Sequence, residues 1–278
     1  MPSRHRFHQL DVFTREPLRG NPLAVVHDAE CLDDATMSAF ARWTNLSETT
    51  FLLPATHPEA DYRVRIFTPA RELPFAGHPT LGSCHAWLAA GGQPRQQDIV
   101  QECGIGLVRI RRDGARLAFA APPLLRAGPL DADLVDRIAR GLGLSSPDIV
   151  AHQWIDNGPG WCAVMLQSAG QVLAVCPDLQ LLHDLKLGVI GPQPAGSDTR
   201  YEVRAFVPGL SVAEDPVTGS LNAGLAVWLI NAGEAPARYV AAQGAALGRA
   251  GRVHVEQVGT TIWIGGDVCL CIEGEVTL

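Results

Sequence analysis

Tyr62-x-Val64-Arg65-x-Phe67-x-Pro69 returns as Tyr201-x-Val203-Arg204-x-Phe206-x-Pro208, displaced by 139 positions in a chain of 278. The displacement is half the length, so the sequence reads as two copies of one unit. The segment downstream of each copy repeats as well. After Pro69 and a short linker comes His78-Pro79-Thr80-Leu81-Gly82-Ser83-Cys84-His85-Ala86-Trp87-Leu88. After Pro208 and a linker two residues longer comes Gly219-Ser220-Leu221-Asn222-Ala223-Gly224-Leu225-Ala226-Val227-Trp228-Leu229. A weaker echo precedes them: His8-Gln9 leads to Asn21 through Val26, and His152-Gln153 leads to Gly160 through Met165. A duplicated pair of lobes predicts a cleft between them, and such clefts are where small-molecule sites form.

The two repeated segments lack charge. No Asp, Glu, Lys or Arg occurs from Pro79 to Gly91, or from Gly219 to Gly233. A helix that is apolar all round is buried on all sides. Small residues (Gly82, Ser83, Ala86; Ala223, Gly224, Ala226) let a sheet approach closely. The expectation is an α+β fold of two pseudo-symmetric lobes, each a sheet curled around one central buried helix. Pro122–Pro129 is the best boundary, which gives lobes 1–126 and 127–278, with the C-terminal strand a candidate to complete the first. Local chemistry marks further elements. Asp33 or Asp34 caps a helix running to about Trp43. Asp113-Gly114 marks a hairpin between Leu107–Arg111 and Arg116–Phe119. A helix spans about Asp133–Leu142, and strands near Val253–Gln257, Thr261–Ile264 and Val268–Ile272 close the chain.

Composition excludes several classes of function. The chain is 47% hydrophobic and 18% charged with net charge −7, and its arginines are scattered, which argues against nucleic acid or an anionic membrane as partner. No apolar run approaches the ~20 residues of a membrane span. Met1 to Arg6 is basic but strand-like sequence comes at once after it, so no signal peptide is expected. Seven cysteines without metal-type spacing fit a reduced, cytoplasmic protein. No Gly-x-Gly-x-x-Gly follows a predicted strand, so a nicotinamide site is not expected.

Three stretches offer chemistry, and each also has a plain structural reading. Glu48, in Asn45-Leu46-Ser47-Glu48-Thr49-Thr50-Phe51, directly precedes an apolar strand, where a carboxylate can exchange protons; it also reads as an ordinary strand-start Glu. His78 stands at the mouth of the first charge-free helix, as a ligand for substrate or carboxylate, or as a helix-cap residue. His85 is seven positions on, too far for a typical metal pair, so no metal is expected. Asp215 and Ser220, in Glu214-Asp215-Pro216-Val217-Thr218-Gly219-Ser220, are rich in capping chemistry. Helix N-termini carry partial positive charge and suit a carboxylate. Two such N-termini facing each other would make a site for a small carboxylate.

Four motifs in order resemble one family. They are Gly20-Asn21-Pro22-x-Ala24-Val25-Val26, Ser47-Glu48-Thr49-Thr50-Phe51, Glu72-Leu73-Pro74-Phe75-Ala76-Gly77-His78-Pro79-Thr80 and Glu214-Asp215-Pro216-Val217-Thr218-Gly219-Ser220. Together they resemble the PhzF-like (phenazine biosynthesis) isomerases, of the diaminopimelate epimerase-like fold. The resemblance implies two lobes, each a barrel-like, mostly antiparallel sheet around its central helix, with an active site between them, no cofactor and usually a homodimer. It implies that Glu48 is the acid/base, with His78 and Asp215 as partners. Gly219 and Ser220 would be the anion-binding helix start, with Ser47, Gly77 and Asn21 as further pocket residues. The family reaction it implies isomerises trans-2,3-dihydro-3-hydroxyanthranilate, one carboxylate taking a proton from C3 and returning it to C1. The alternatives are epimerase- or racemase-like proton transfer on another small carboxylate, and a binding homologue without turnover. Two-cysteine racemases of this fold carry a thiol at the start of each central helix. Here those places are held by Ala76 or Gly77 and by Asp215 to Val217, and Cys84 reads as core packing. Trp87 and Trp228 likewise read as core; Arg65 and Arg204 could reach the cleft or a dimer seam, though their identical placement in the repeat suggests a structural role.

Overall fold

The computed structural model describes residues 2–208 and 212–278. Contacts divide them into two compact units: residues up to Ala120 together with Gly265–Leu278, and Ala121–Ile264. In chain order the first unit holds β1 (Arg4–Val12), β2 (Asn21–Val26), α1 (Asp34–Thr44), β3 (Glu48–Leu53), β4 (Tyr62–Phe67) and β5 (Glu72–Leu73), then α2 (Gly77–Ala89), β6 (Ile99–Cys103), β7 (Gly106–Asp113) and β8 (Arg116–Ala120). The second holds β9 (Arg126–Gly128), α3 (Ala132–Gly141), β10 (Ile149–Asp156), β11 (Trp161–Leu166), α4 (Ala169–Ala174), β12 (Lys186–Pro192), β13 (Tyr201–Phe206), β14 (Glu214–Asp215), α5 (Gly219–Asn231), β15 (Arg238–Gln243), β16 (Gly251–Val258) and all but the last two residues of β17 (Thr261–Gly266). The last strand, β18 (Val268–Thr277), belongs to the first unit and runs antiparallel to β1. The fold is α+β and mostly sheet, as the sequence predicts.

The repeat is written into the ladders. In the first unit β1 and β2 are antiparallel, β2 and β3 parallel, and β3 and β4 antiparallel; β4 then pairs antiparallel with β5 and parallel with β6. The second unit repeats that order with β10 to β15. Within its own unit, α2 packs on β1, β2, β3, β6, β8 and β18. Close approach depends on glycine. A Cβ on Gly82 would lie 2.5 Å from Leu23 Cδ2, and one on Gly224 would lie 2.5 Å from the Ile155 carbonyl oxygen. Nine of the 13 residues of α2 and ten of the 13 of α5 are buried, which is why neither carries charge.

Local signals hold with small shifts. Asp33 caps α1, accepting from the Thr36 N–H at 2.8 Å, and Asn45 ends the helix in the left-handed region (φ 53°). Gly114 (φ 62°) turns the β7–β8 hairpin, where Asp113 pairs with Arg116. The helix α2 begins at Gly77 rather than Pro79, so His78 lies inside its first turn. Proline is tolerated there because first-turn N–H groups have no intrahelical acceptor.

Arg65 and Arg204 each make a forked ion pair with a glutamate of the same unit. Arg65 forks onto Glu72 at 2.7–2.8 Å, and Arg204 forks onto Glu214 at 2.8–2.9 Å. Each also lies over the phenylalanine two residues on. Trp228 is buried, and Trp87 stacks on Tyr62 with ring centroids 5.1 Å apart. Among the described residues no helix is long and apolar enough to cross a membrane.

Candidate active site

In the first unit the fold gathers four of the sequence-predicted residues. Parallel pairing of β2 with β3 sets Leu23 opposite Glu48, so Asn21 at the start of β2 lies near Ser47 and Glu48. The first turn of α2 delivers His78. The Ser47 hydroxyl donates to Asn21 Oδ1 at 3.3 Å, and Asn21 Nδ2 lies 3.2 Å from His78 Nδ1. His78 Nε2 lies 3.4 Å from Glu48 Oε2. Asn21 is fully buried and His78 nearly so, while the Glu48 side chain keeps 15% of its exposure. Burial drives the His78 imidazolium down to about 3, so the ring is neutral near pH 7. The contact with Glu48 is therefore that of a neutral ring with a carboxylate and not an ion pair. Gly77 opens α2, whose N-cap is Ala76, a side chain with no oxygen to cap the N–H groups behind it. Cys84 lies deeper in the helix, fully buried, and burial pushes its thiol up to about 12, which leaves it inert at neutral pH.

In the second unit Asp215, Gly219 and Ser220 surround the start of α5. Asp215 Oδ2 accepts from the Thr218 hydroxyl at 2.5 Å. The N-cap is Thr218, and its N–H is held by Gln243 Oε1 at 3.0 Å. Ser220 Oγ accepts from the Trp161 indole N–H at 3.0 Å, and Asn157 Nδ2 donates to the Ser220 carbonyl at 2.9 Å. Sequence reasoning missed Gln243, Trp161 and Asn157. Gln243 carries one readable signal: it is an amide ending a strand whose four preceding residues, Tyr239 to Ala242, carry no charge. In the first unit Gln101 of β6 is equally buried and bonds Tyr62 of β4 and Thr80 of α2.

The ladders also show where the duplication departs from symmetry. Leu23 pairs with Glu48, and Cys162, its repeat equivalent, pairs with Leu187. Reading from β13 instead, Phe67 pairs with Thr49 and Phe206 with Leu187, which makes Lys186 the equivalent of Glu48. Neither residue is a carboxylate. Conversely, Glu72 and Glu214 occupy matching positions, which makes Leu73 the counterpart of Asp215. Each unit thus carries an acid where the other carries none. Among the described residues no group of three or more His, Cys, Asp or Glu is placed to hold a metal ion.

The profile of the phenazine biosynthesis-like protein family (PhzC-PhzF) matches residues 10–274. Antisense-enhancing sequence 1 of Schizosaccharomyces pombe is 36% identical over 292 residues, covering 98% of each chain. Trans-2,3-dihydro-3-hydroxyanthranilate isomerase of Pseudomonas aeruginosa is 33% identical over 287 residues, covering 99% of this chain and 100% of the relative. A crystal structure of a PhzF-family protein from Enterococcus faecalis superposes with a TM-score of 0.82 at 24% identity, over 99% of this chain and 100% of the other. The chain belongs to the phenazine biosynthesis-like (PhzF) family, and it is an isomerase.

Proposed function

We propose that this isomerase moves a proton between two carbons of a small cyclic carboxylate without a cofactor, with Glu48 as its single acid/base. The reaction is of the kind named for the Pseudomonas aeruginosa relative. The observation that carries the reading is the Glu48–His78 contact: a largely shielded carboxylate beside a ring that burial keeps neutral. The Glu48 carboxylate takes a proton from one carbon, leaving its electron pair delocalised over the substrate's unsaturation. The resulting carboxylic acid returns the proton to a second carbon on the same face, so Glu48 ends as it began. His78 does not change charge in either step. Its Nε2 faces one carboxylate oxygen at 3.4 Å, outside hydrogen-bond geometry, and tightening of that contact on substrate binding would fix the plane in which the other oxygen works.

A substrate carboxylate suits the start of α2, where Gly77 and His78 come after an N-cap without a capping oxygen and the helix end is partially positive. For the second unit we infer a related role: Gly219 and Ser220 as an anion-binding helix start, and Asp215 as the acidic partner there. Two observations favour one carboxylate over a pair of bases. The repeat equivalent of Glu48 is Lys186 or Leu187, and the buried Cys84 thiol is pushed too high to serve as a base.

The test is deuterium uptake from heavy water into a panel of cyclic amino and hydroxy acids that includes trans-2,3-dihydro-3-hydroxyanthranilate. Wild type is expected to label at least one of them, and Glu48→Gln none. A wild-type protein that labels nothing, or a Glu48→Gln protein that labels as fast as wild type, overturns the proposal.

A further inference from the structure

Asn21 is placed by family resemblance among the substrate contacts, yet its amide is committed elsewhere. Its Oδ1 accepts from Ser47 Oγ at 3.3 Å, which turns Nδ2 toward His78 Nδ1, 3.2 Å away. An amide NH2 only donates. The Nδ1 it faces must therefore accept, and so carries no proton. Neutral imidazole has one N–H, which leaves it on Nε2, the atom 3.4 Å from Glu48 Oε2. With the opposite tautomer, a lone pair of Nε2 would face the carboxylate oxygen and the contact would be repulsive.

We propose that Asn21 is a positioning residue that fixes the tautomer of His78, so that the Nε2–H is always presented to Glu48. The order runs one way: the Ser47 hydroxyl donates to the Asn21 carbonyl and the Asn21 amide to His78 Nδ1, which leaves the Nε2–H facing Glu48 Oε2 at 3.4 Å, close but outside hydrogen-bond geometry. The inference rests on the reading of Glu48 as the acid/base, and it adds how that carboxylate is aimed. Ser47 acts at the far end as the group that chooses between the two orientations of the Asn21 amide. Burial supports the arrangement. With Asn21 inaccessible and His78 only 4% exposed, water competes poorly for either ring nitrogen, so the protein's own donors decide the proton's position. That the ring stays neutral near pH 7 is what gives a tautomer choice meaning.

The experiment is nitrogen NMR of the full-length protein labelled with 15N-histidine at pH 7, with His78 assigned by its absence in His78→Gln. Wild type is expected to show His78 Nε2 in the protonated range and Nδ1 in the unprotonated range. In Asn21→Asp the new carboxylate only accepts, so Nδ1 is expected to become protonated and its signal to move to the protonated range. Ser47→Ala removes the group that orients the amide and is expected to let the Nδ1–H tautomer appear beside the original. If Asn21→Asp does not fold, Asn21→Ala replaces it, with a mixture of tautomers expected. A wild-type spectrum with the proton on Nδ1 overturns the proposal, and so does an unchanged Nε2–H pattern in the Asn21 variant. The spectra are independent of turnover. Labelling that survives in Glu48→Gln would remove the proposed acid/base without moving the tautomer, and a wrong tautomer would leave Glu48 untouched.

Discussion

Glu48 Oε2 and His78 Nε2 lie 3.4 Å apart although 30 residues separate them in the chain, one at the start of a strand and the other inside the first turn of a helix. The distance is long for a hydrogen bond, as catalytic contacts often are before substrate tightens them. Glu48→Gln keeps the shape and cannot carry the proton. It is expected to abolish isomerisation and deuterium exchange while changing stability by no more than about 1–2 kcal/mol. Side-by-side exchange rates and urea melts check both halves: a folded variant that still exchanges counts against the mechanism, and an unfolded one counts against the stability half.

Acid stability is governed by the buried histidines. Burial first, then His8 and Arg6, hold His27 down to about 4, and burial holds His78 down to about 3, against 6.5 in the unfolded chain. Between those values the unfolded chain binds the extra protons. Stability is thus full above about pH 6.5 and is lost as pH falls toward 4 and 3, by roughly 1.4 kcal/mol per pH unit per group. Denaturant midpoints between pH 4 and 8 should show this slope.

Glu202 works in the opposite direction. Burial raises its carboxyl from 4.5 to about 7, so the folded chain holds the extra proton between those values. Its cost is largest above pH 7 and is relieved as pH falls toward 4.5. Glu202→Gln is expected to stabilise the protein at pH 8 by about 1–3 kcal/mol and to steepen the acid loss between pH 7 and 4.5. Equal midpoints for wild type and variant at pH 8 would rule this out.

Arg65 and Arg204 occupy matching places in the repeat and make the same forked pair, but not at the same depth. The side chains of Arg204 and Glu214 are 7% and 10% exposed; those of Arg65 and Glu72 are 24% and 42% exposed. Arg204 also donates to the Val172 and Val175 carbonyls at the end of α4. Arg204→Met strands a buried carboxylate and is expected to cost about 3–5 kcal/mol, whereas Arg65→Met should cost about 0–1 kcal/mol. Equal losses in thermal or urea unfolding would show that depth does not govern these pairs.

The two helix glycines should also differ. A methyl at Gly224 would meet a backbone oxygen of β10, which cannot step aside, while one at Gly82 meets first the flexible end of Leu23. Gly224→Ala is expected to destabilise by about 1–3 kcal/mol as overpacking. Gly82→Ala should cost less, partly offset by the ~1 kcal/mol that alanine gains over glycine in a helix. Thermal unfolding of the two variants decides the order.

Much of the fold was legible because its rules act over short distances. Tyr62–Pro69 and Tyr201–Pro208 announced the duplication, charge-free helices announced burial, and Asp33 and Asp113-Gly114 marked a cap and a turn through contacts within a few residues. The identity of Glu48, His78 and Asp215 as candidates was readable from their motifs. Their partners were not. That Asn21 touches His78, that Gln243 caps α5 and that Trp161 holds Ser220 depend on pairings such as β2 beside β3, in which residues tens of positions apart become neighbours. The same holds for the difference between Arg65 and Arg204. Residue order alone carried the periodicity, the repeat and the residue types able to do proton chemistry. Depth of burial, the direction of each hydrogen bond and the neutrality of His78 came from packing, because desolvation and donor geometry are set by atoms that only the folded chain brings together.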